Sequence, residues 1–159
     1  MNKWLLATLM VLAIVVVAGL LTRKEVRAEI VIEVPVEEVW EVITNPTTYG
    51  EWNPIFVAYE GTFGPGEPMA LQMKMGEGEP VPVSVTVKDF VPLEWMQQSG
   101  GYPLILTYDH NWYLEPVEGG TKVTQFEYYT GFYVLFWDPT PAQLAYEQGN
   151  KNLKTRLEQ

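Results

Sequence analysis

Hydrophobic and polar positions change period along the chain, and each period predicts a different element. From Trp4 to Leu21 (WLLATLMVLAIVVVAGLL) eighteen residues carry no charge, and apart from the Trp4 indole only Thr8 has a side-chain hydrogen-bonding group. As a helix rising ~1.5 Å per residue the run spans roughly 27 Å, close to the ~30 Å of a bilayer's hydrocarbon core. Val26, Ala28, Ile30, Ile32 and Val34 then alternate with Arg27, Glu29, Val31 and Glu33, which predicts a strand with one buried face. Pro35 ends that ladder. Val36, Val39, Trp40 and Ile43 recur at helical spacing with Glu37, Glu38 and Glu41 turned outward, so a short amphipathic helix follows, with Pro35 suited to its first turn.

The stretch NPTTYGEWNP (Asn45 to Pro54) breaks the periodicity. Asn45-Pro46 stops the helix, because a residue before proline is pushed out of the αR region. Asn53-Pro54 then redirects the chain a second time.

Gly and Pro then punctuate a string of strands. Leu71, Met73 and Met75 alternate with Gln72 and Lys74, and Val83, Val85 and Val87 with Ser84, Thr86 and Lys88; Leu93, Trp95 and Gln97 share a face. Leu104, Leu106, Tyr108, His110, Trp112 and Leu114 form the longest alternating face, and Gly119-Gly120 closes a hairpin into Thr121 to Thr130. Short turns between evenly spaced strands predict a meandering antiparallel sheet. Finally, Ala142, Ala145, Tyr146, Gly149, Leu153 and Leu157 mark one stripe of a helix, with Lys151, Lys154 and Arg156 in its last turns, where cations oppose the helix dipole. Gly149 weakens that helix by ~1 kcal/mol relative to Ala and lets something bulky lie against it. A long helix on a curved sheet leaves a pocket where the two splay apart.

Charge divides the chain where the period does. Residues 1–27 carry Lys3, Arg23, Lys24 and Arg27 against Glu25, whereas residues 28–159 hold nineteen acids against six bases, a net of −13. Phosphate-backbone binding needs Lys and Arg clusters, so nucleic acid is not an expected partner. Cysteine is absent, which excludes disulfides and thiolate metal sites. Val16-Val17-Ala18 and Val26-Arg27-Ala28 offer small-residue cleavage sites, but the apolar run exceeds the ~7–15 residues of a usual signal core and lacks an Ala-x-Ala ending. The expected division is therefore a signal-anchor or transmembrane segment at 1–25, crossing the membrane once through residues 4–21, and one domain at 26–159. Arg23, Lys24 and Arg27 pull that domain toward the cytoplasm and a signal-like start pulls it the other way, leaving the side of the membrane open.

The segments I-x-I-E-V-P-V-E-E-V-W (Ile30 to Trp40), E-W-N-P (Glu51 to Pro54), H-N-W-Y-L-E-P-V-E-G-G-T-K-V (His110 to Val123), E-Y-Y-T-G (Glu127 to Gly131) and N-K-N-L-K-T-R-L-E (Asn150 to Glu158) stand in this order. Together they resemble the polyketide cyclase/dehydrase branch of the START-like, or SRPBCC, superfamily, over about residues 26–159. The resemblance implies an α+β helix-grip fold: a curved antiparallel sheet of about seven strands around a long C-terminal helix, with an apolar cavity between them. It implies little about chemistry, because the superfamily includes lipid carriers, quinone and hormone binders, cyclases and chaperone activators.

Candidate catalytic groups are few. His110 is the only histidine, and its alternation with Leu106, Tyr108 and Trp112 turns it inward. Glu127 lies on the next strand, but Val123, Gln125, Glu127 and Tyr129 compete with Thr124, Phe126 and Tyr128 for the inner face, so its direction stays open. Metal-type His clusters, phosphate loops and nucleophile elbows are missing. Flexible methionines beside aromatic rings suit an adaptable apolar site. The expected cavity wall comprises Trp52, Leu71, Met73, Met75, Val85 and Trp95 from the first half of the domain. Leu106, Tyr108, His110, Trp112, Phe126 and Tyr146 complete it. The expected function is binding of a small or medium apolar molecule, lipid-, polyketide- or quinone-like, by a monomer without cofactor or metal. The alternatives are a cyclase- or dehydratase-type cavity enzyme using His110 with Glu127 or a Tyr, and a membrane-tethered protein-interaction domain.

Overall fold

The computed structural model describes residues 2–74 and 78–159. Helix α1 (Lys3–Leu21) leads into β1 (Arg23–Ile32), followed by α2 (Val36–Ile43), a 3-10 turn (Pro46–Thr48) and the one-turn helix α3 (Tyr49–Trp52). The strands β2 (Phe56–Gly61), β3 (Pro68–Met73), β4 (Val81–Val91), β5 (Trp95–Tyr102), β6 (Leu106–Val117) and β7 (Gly120–Thr130) come next. A second 3-10 turn (Phe132–Leu135) and α4 (Thr140–Leu157) end the chain. One antiparallel sheet runs in the order β1-β7-β6-β5-β4-β3-β2, and α4 packs against β1. The fold is thus α+β, a curved seven-stranded sheet with a long C-terminal helix, as the periodicity and the resemblance predict.

The stretch from Asn45 to Pro54 after α2 is held by its own polar side chains. Asn45 Oδ1 accepts from the Thr47 amide, and Asn53 Oδ1 accepts from the amides of Ile55 and Phe56, both at 2.9 Å, the local turn chemistry that Asn favours. Gly50 is required there, because a Cβ would sit 2.6 Å from the Val57 carbonyl oxygen. The turn delivers Trp52 into the core at 3% exposure, edge-on to Trp112 with 6.2 Å between ring centroids. Val39, Ile43, Tyr49, Leu71, Met96, Leu114 and Leu153 pack around this pair. Trp40 is only half-buried, tilted against Phe90.

Alternation and register set the faces. His110 stands opposite Glu127 on β7 and Gln98 on β5, and Trp112 opposite Gln125 and Met96, so all six turn inward. This resolves the direction of Glu127 and corrects two expectations about the interior. Phe126 lies on the outer face beside Arg27 because β7 places its odd-numbered residues, Val123 to Tyr129, inside. Trp95 is also outside, donating its indole N–H to Asn111 Oδ1 at 3.1 Å. The β4–β5 turn, with Leu93 in the left-handed region at φ 67°, brings Met96 rather than Trp95 inward. Leu104, expected on the inner face of β6, sits in the preceding turn at φ 70° and is exposed.

Candidate functional site

The interior face carries a row of buried polar groups from four elements. β5 contributes Gln98, β6 His110, β7 Gln125 and α4 Asn150, each at most 7% exposed. His110 Nδ1 lies 3.2 Å from Gln98 Oε1 and Nε2 lies 3.3 Å from Gln125 Oε1, while Gln125 Nε2 donates to Asn150 Oδ1 at 2.5 Å. Burial drives the imidazole pKa down from 6.5 to about 4, with the bond to Gln125 opposing. At neutral pH it is therefore uncharged, with one N–H and one acceptor nitrogen. Because the Gln125 amide is committed to Asn150, its oxygen takes the Nε2 proton. Nδ1 is then the acceptor, and the Gln98 amide satisfies it by turning its NH2 toward the ring, since amide orientation follows the hydrogen-bond network.

A second cluster adjoins this row. Oε2 of Glu127 accepts from the hydroxyls of Tyr129 and Tyr146. Burial pushes its carboxyl up from 4.5 to about 7, against the two hydroxyl bonds, which favour the anion. The Tyr146 ring stacks on His110 with centroids 5.4 Å apart and an 18° tilt, joining the two clusters. Burial and the neighbouring carboxylate raise the Tyr146 and Tyr129 hydroxyls well above 10. His110 and Glu127 are register partners, yet no hydrogen bond joins their side chains. In place of a direct pair, one of the alternatives for a cavity enzyme, the imidazole is held by two glutamines and the carboxyl by two tyrosines.

Gln98 Nε2, Asn150 Nδ2 and Trp52 Nε1 are buried and lack an acceptor in the protein. Turning the Gln98 amide only exchanges its orphan nitrogen for an orphan oxygen. Each such atom costs roughly 1–3 kcal/mol, so a band of unsatisfied polar atoms marks the region between sheet and helix. Gly149 belongs to the same region: a Cβ there would approach Pro54 Cδ to 3.3 Å and Gln125 Nε2 to 4.0 Å. Its bulky neighbour is thus Pro54, two residues beyond Trp52.

Of the expected cavity residues, Trp52, Leu71, Val85, His110, Trp112 and Tyr146 are buried inside. Met73, Leu106 and Tyr108 are half-buried on the same face of the sheet. Met75 lies outside the described residues, and Trp95 and Phe126 face out. Sequence reasoning missed Gln98, Gln125, Asn150 and Tyr129. Asn150 had a readable signal: four residues after Tyr146 and three before Leu153, it occupies the buried stripe of α4. A cleft of about 780 Å³ with a mixed lining lies elsewhere, on the outer face of β4–β6, between Val83, Thr86, Lys88, Tyr102, Pro103 and Asp109 among others. Among the described residues no cluster of three His, Cys, Asp or Glu could hold a metal ion.

The sequence profile described as "Polyketide cyclase / dehydrase and lipid transport" matches residues 23–158. No curated protein matches the chain in sequence. Among solved structures, a Chromobacterium violaceum protein superimposes with a TM-score of 0.68 at 17% identity, covering 85% of this chain and 97% of its own. A protein named Ara h 8.0201 superimposes with a TM-score of 0.66 at 15% identity, covering 86% and 99%. The di-domain ARO/CYC BexL of the BE-7585A biosynthetic pathway gives 0.70 at 12% identity over 86% of this chain and half of its own length. At these identities the likeness is one of fold.

Proposed function

This chain belongs to the polyketide cyclase/dehydrase and lipid-transport family, and we propose that its domain holds a small or medium apolar molecule between the sheet and α4. The observation that carries the reading is the band of buried polar atoms without partners, Trp52 Nε1, Asn150 Nδ2 and the outer end of the Gln98 amide. They sit beside Trp112, Tyr146 and Leu153, an environment for a largely apolar ligand with one polar end. Lipid-, polyketide- and quinone-like molecules share that character. Extraction of protein purified in mild detergent, followed by mass spectrometry, tests it: a co-purifying apolar molecule is expected, and protein that carries none and binds no member of a fatty-acid and quinone panel overturns it. Asn150→Leu should keep the fold and weaken binding about tenfold, the worth of one net hydrogen bond of ~1.4 kcal/mol. Titration by Trp fluorescence reads the change.

The Glu127 cluster favours a second reading, a cavity enzyme of cyclase or dehydratase type. A carboxyl poised at about 7 between two tyrosine hydroxyls has the pKa of a general acid or base. In that case Glu127→Gln lowers turnover of a bound substrate by ~100-fold or more and leaves its affinity nearly intact. The domain acts at a membrane in either reading. α1 is long and apolar enough to cross a bilayer, a property it shares with signal sequences. The protein is expected to remain in the membrane fraction after high-salt and alkaline washing. Soluble protein beginning near Gly19 or Glu29 would instead identify a cleaved leader.

A further inference from the structure

Six large apolar or aromatic side chains crowd the end of the domain from which α1 departs. Tyr102, Leu104 and Ile105 in the β5–β6 turn are at least 60% exposed, and Phe132, Tyr133 and Phe136 after β7 are 42%, 51% and 76% exposed. The backbone joins the two loops into one surface. The Phe132 amide donates to the Leu104 carbonyl and the Tyr133 amide to the Ile105 carbonyl, each at 2.9 Å. Gly131, at φ 126°, permits the junction, because a Cβ there would lie 2.5 Å from the Ile105 oxygen. Leu104 is held in the left-handed region, which side chains other than Gly rarely adopt, and is turned to the outside. Contiguous exposed apolar surface of this kind marks an interaction site.

Two observations identify what covers it. First, α1 is seated on the patch: Gly19, its only buried residue, is so close that an added Cβ would stand 3.0 Å from Phe132 Cα. Second, charge is withdrawn from this end. Residues 99–108 contain no charged side chain and residues 128–146 only Asp138, in a domain whose residues 28–159 have a net charge of −13. The nearby cations lie at the root of α1, where Arg23 caps the Tyr128 ring and Lys24 Nζ donates to the Trp137 carbonyl at 2.5 Å. Aromatic side chains and cations at the end of an apolar span are the composition of a membrane–water interface.

We propose that this patch docks into the headgroup region of the bilayer that holds α1, so that the domain lies on the lipid rather than hanging from a tether. The inference rests on the reading of α1 as a retained membrane helix. Docking would set the Trp137 ring, 4.4 Å from Tyr129, between the lipid and the Glu127 cluster.

The chain has no cysteine, so single labels are unambiguous. Full-length Leu104→Cys, Phe136→Cys and, in the opposite β6–β7 turn, Glu118→Cys would each carry an environment-sensitive fluorophore. They would be reconstituted into phosphatidylcholine vesicles containing phosphatidylglycerol. Expected are several-fold stronger quenching by nitroxide lipid than by aqueous iodide at positions 104 and 136, and the reverse at 118. All three replaced side chains are exposed, so unchanged melting transitions check the fold. Vesicles floated after alkaline washing separate the two failures. Protein left in the aqueous phase overturns the anchor and the docking with it. Floating protein whose 104 and 136 labels are quenched by iodide like 118, or shielded from both quenchers by protein, overturns the docking alone.

Discussion

Replacing Trp112 or Trp52 by alanine is expected to cost about 3–5 kcal/mol of folding stability in each case. Trp112 is 1% and Trp52 3% exposed, and their rings meet edge to face within the cluster of Ile43, Tyr49, Met96 and Leu153. Truncating either ring leaves a cavity that a close-packed interior fills only in part. Trp40→Ala should cost clearly less, because that ring is half-buried and leans on one aromatic neighbour, Phe90. In the sequence Trp40 lies on the apolar stripe of its helix and Trp52 is assigned to the cavity wall, which would make Trp40 the costlier of the two to remove. Urea unfolding of the three variants distinguishes the two: Trp52→Ala nearer to wild type than Trp40→Ala would return Trp52 to a mobile wall position.

Removing the Glu127 charge while keeping its shape should reshape the dependence of stability on pH. Glu127 titrates near 7 in the folded protein against 4.5 ordinarily, so the folded state keeps a proton that the unfolded chain has released. Its contribution is complete below about 4.5 and is lost as the pH rises through 7. His110 runs the other way. With a folded pKa near 4 against 6.5 ordinarily, its contribution is complete above about 6.5 and is lost as the pH falls through 4. Between roughly 4.5 and 6.5 the two slopes oppose, and these two groups leave the wild type nearly flat. The surface carboxylate Glu29, held down by bonds from Lys122 and Arg27, adds its own loss only at lower pH. In Glu127→Gln the His110 slope stands alone, and stability should fall by about 2–3 kcal/mol from pH 6.5 to 4.5, at 1.36 kcal/mol per unit. His110→Gln should show a change of similar size in the opposite direction. Parallel profiles for Glu127→Gln and wild type across this window would mean that Glu127 does not titrate near neutrality.

What the sequence determined by itself was whatever a single repeat encodes. The uncharged run of α1, the period-2 alternation of β6 and the stripe of α4 each follow from burying one face of one element, and they located His110, Trp112 and Tyr146 on the interior. Three decisions belonged to tertiary structure. The inner face of β7 was ambiguous because Val123 to Tyr129 and Thr124 to Tyr128 are both apolar enough to be buried, and only pairing with β6 and β1 resolved it toward Glu127. Trp95 changed sides because the turn at Leu93 sets which residue begins the alternation, and a shift of one position moves every side chain to the other face. The polar row Gln98–His110–Gln125–Asn150 joins residues as much as 52 positions apart. No local pattern could reveal it, because each amide is tolerated inside only when the sheet closes and α4 brings its partner.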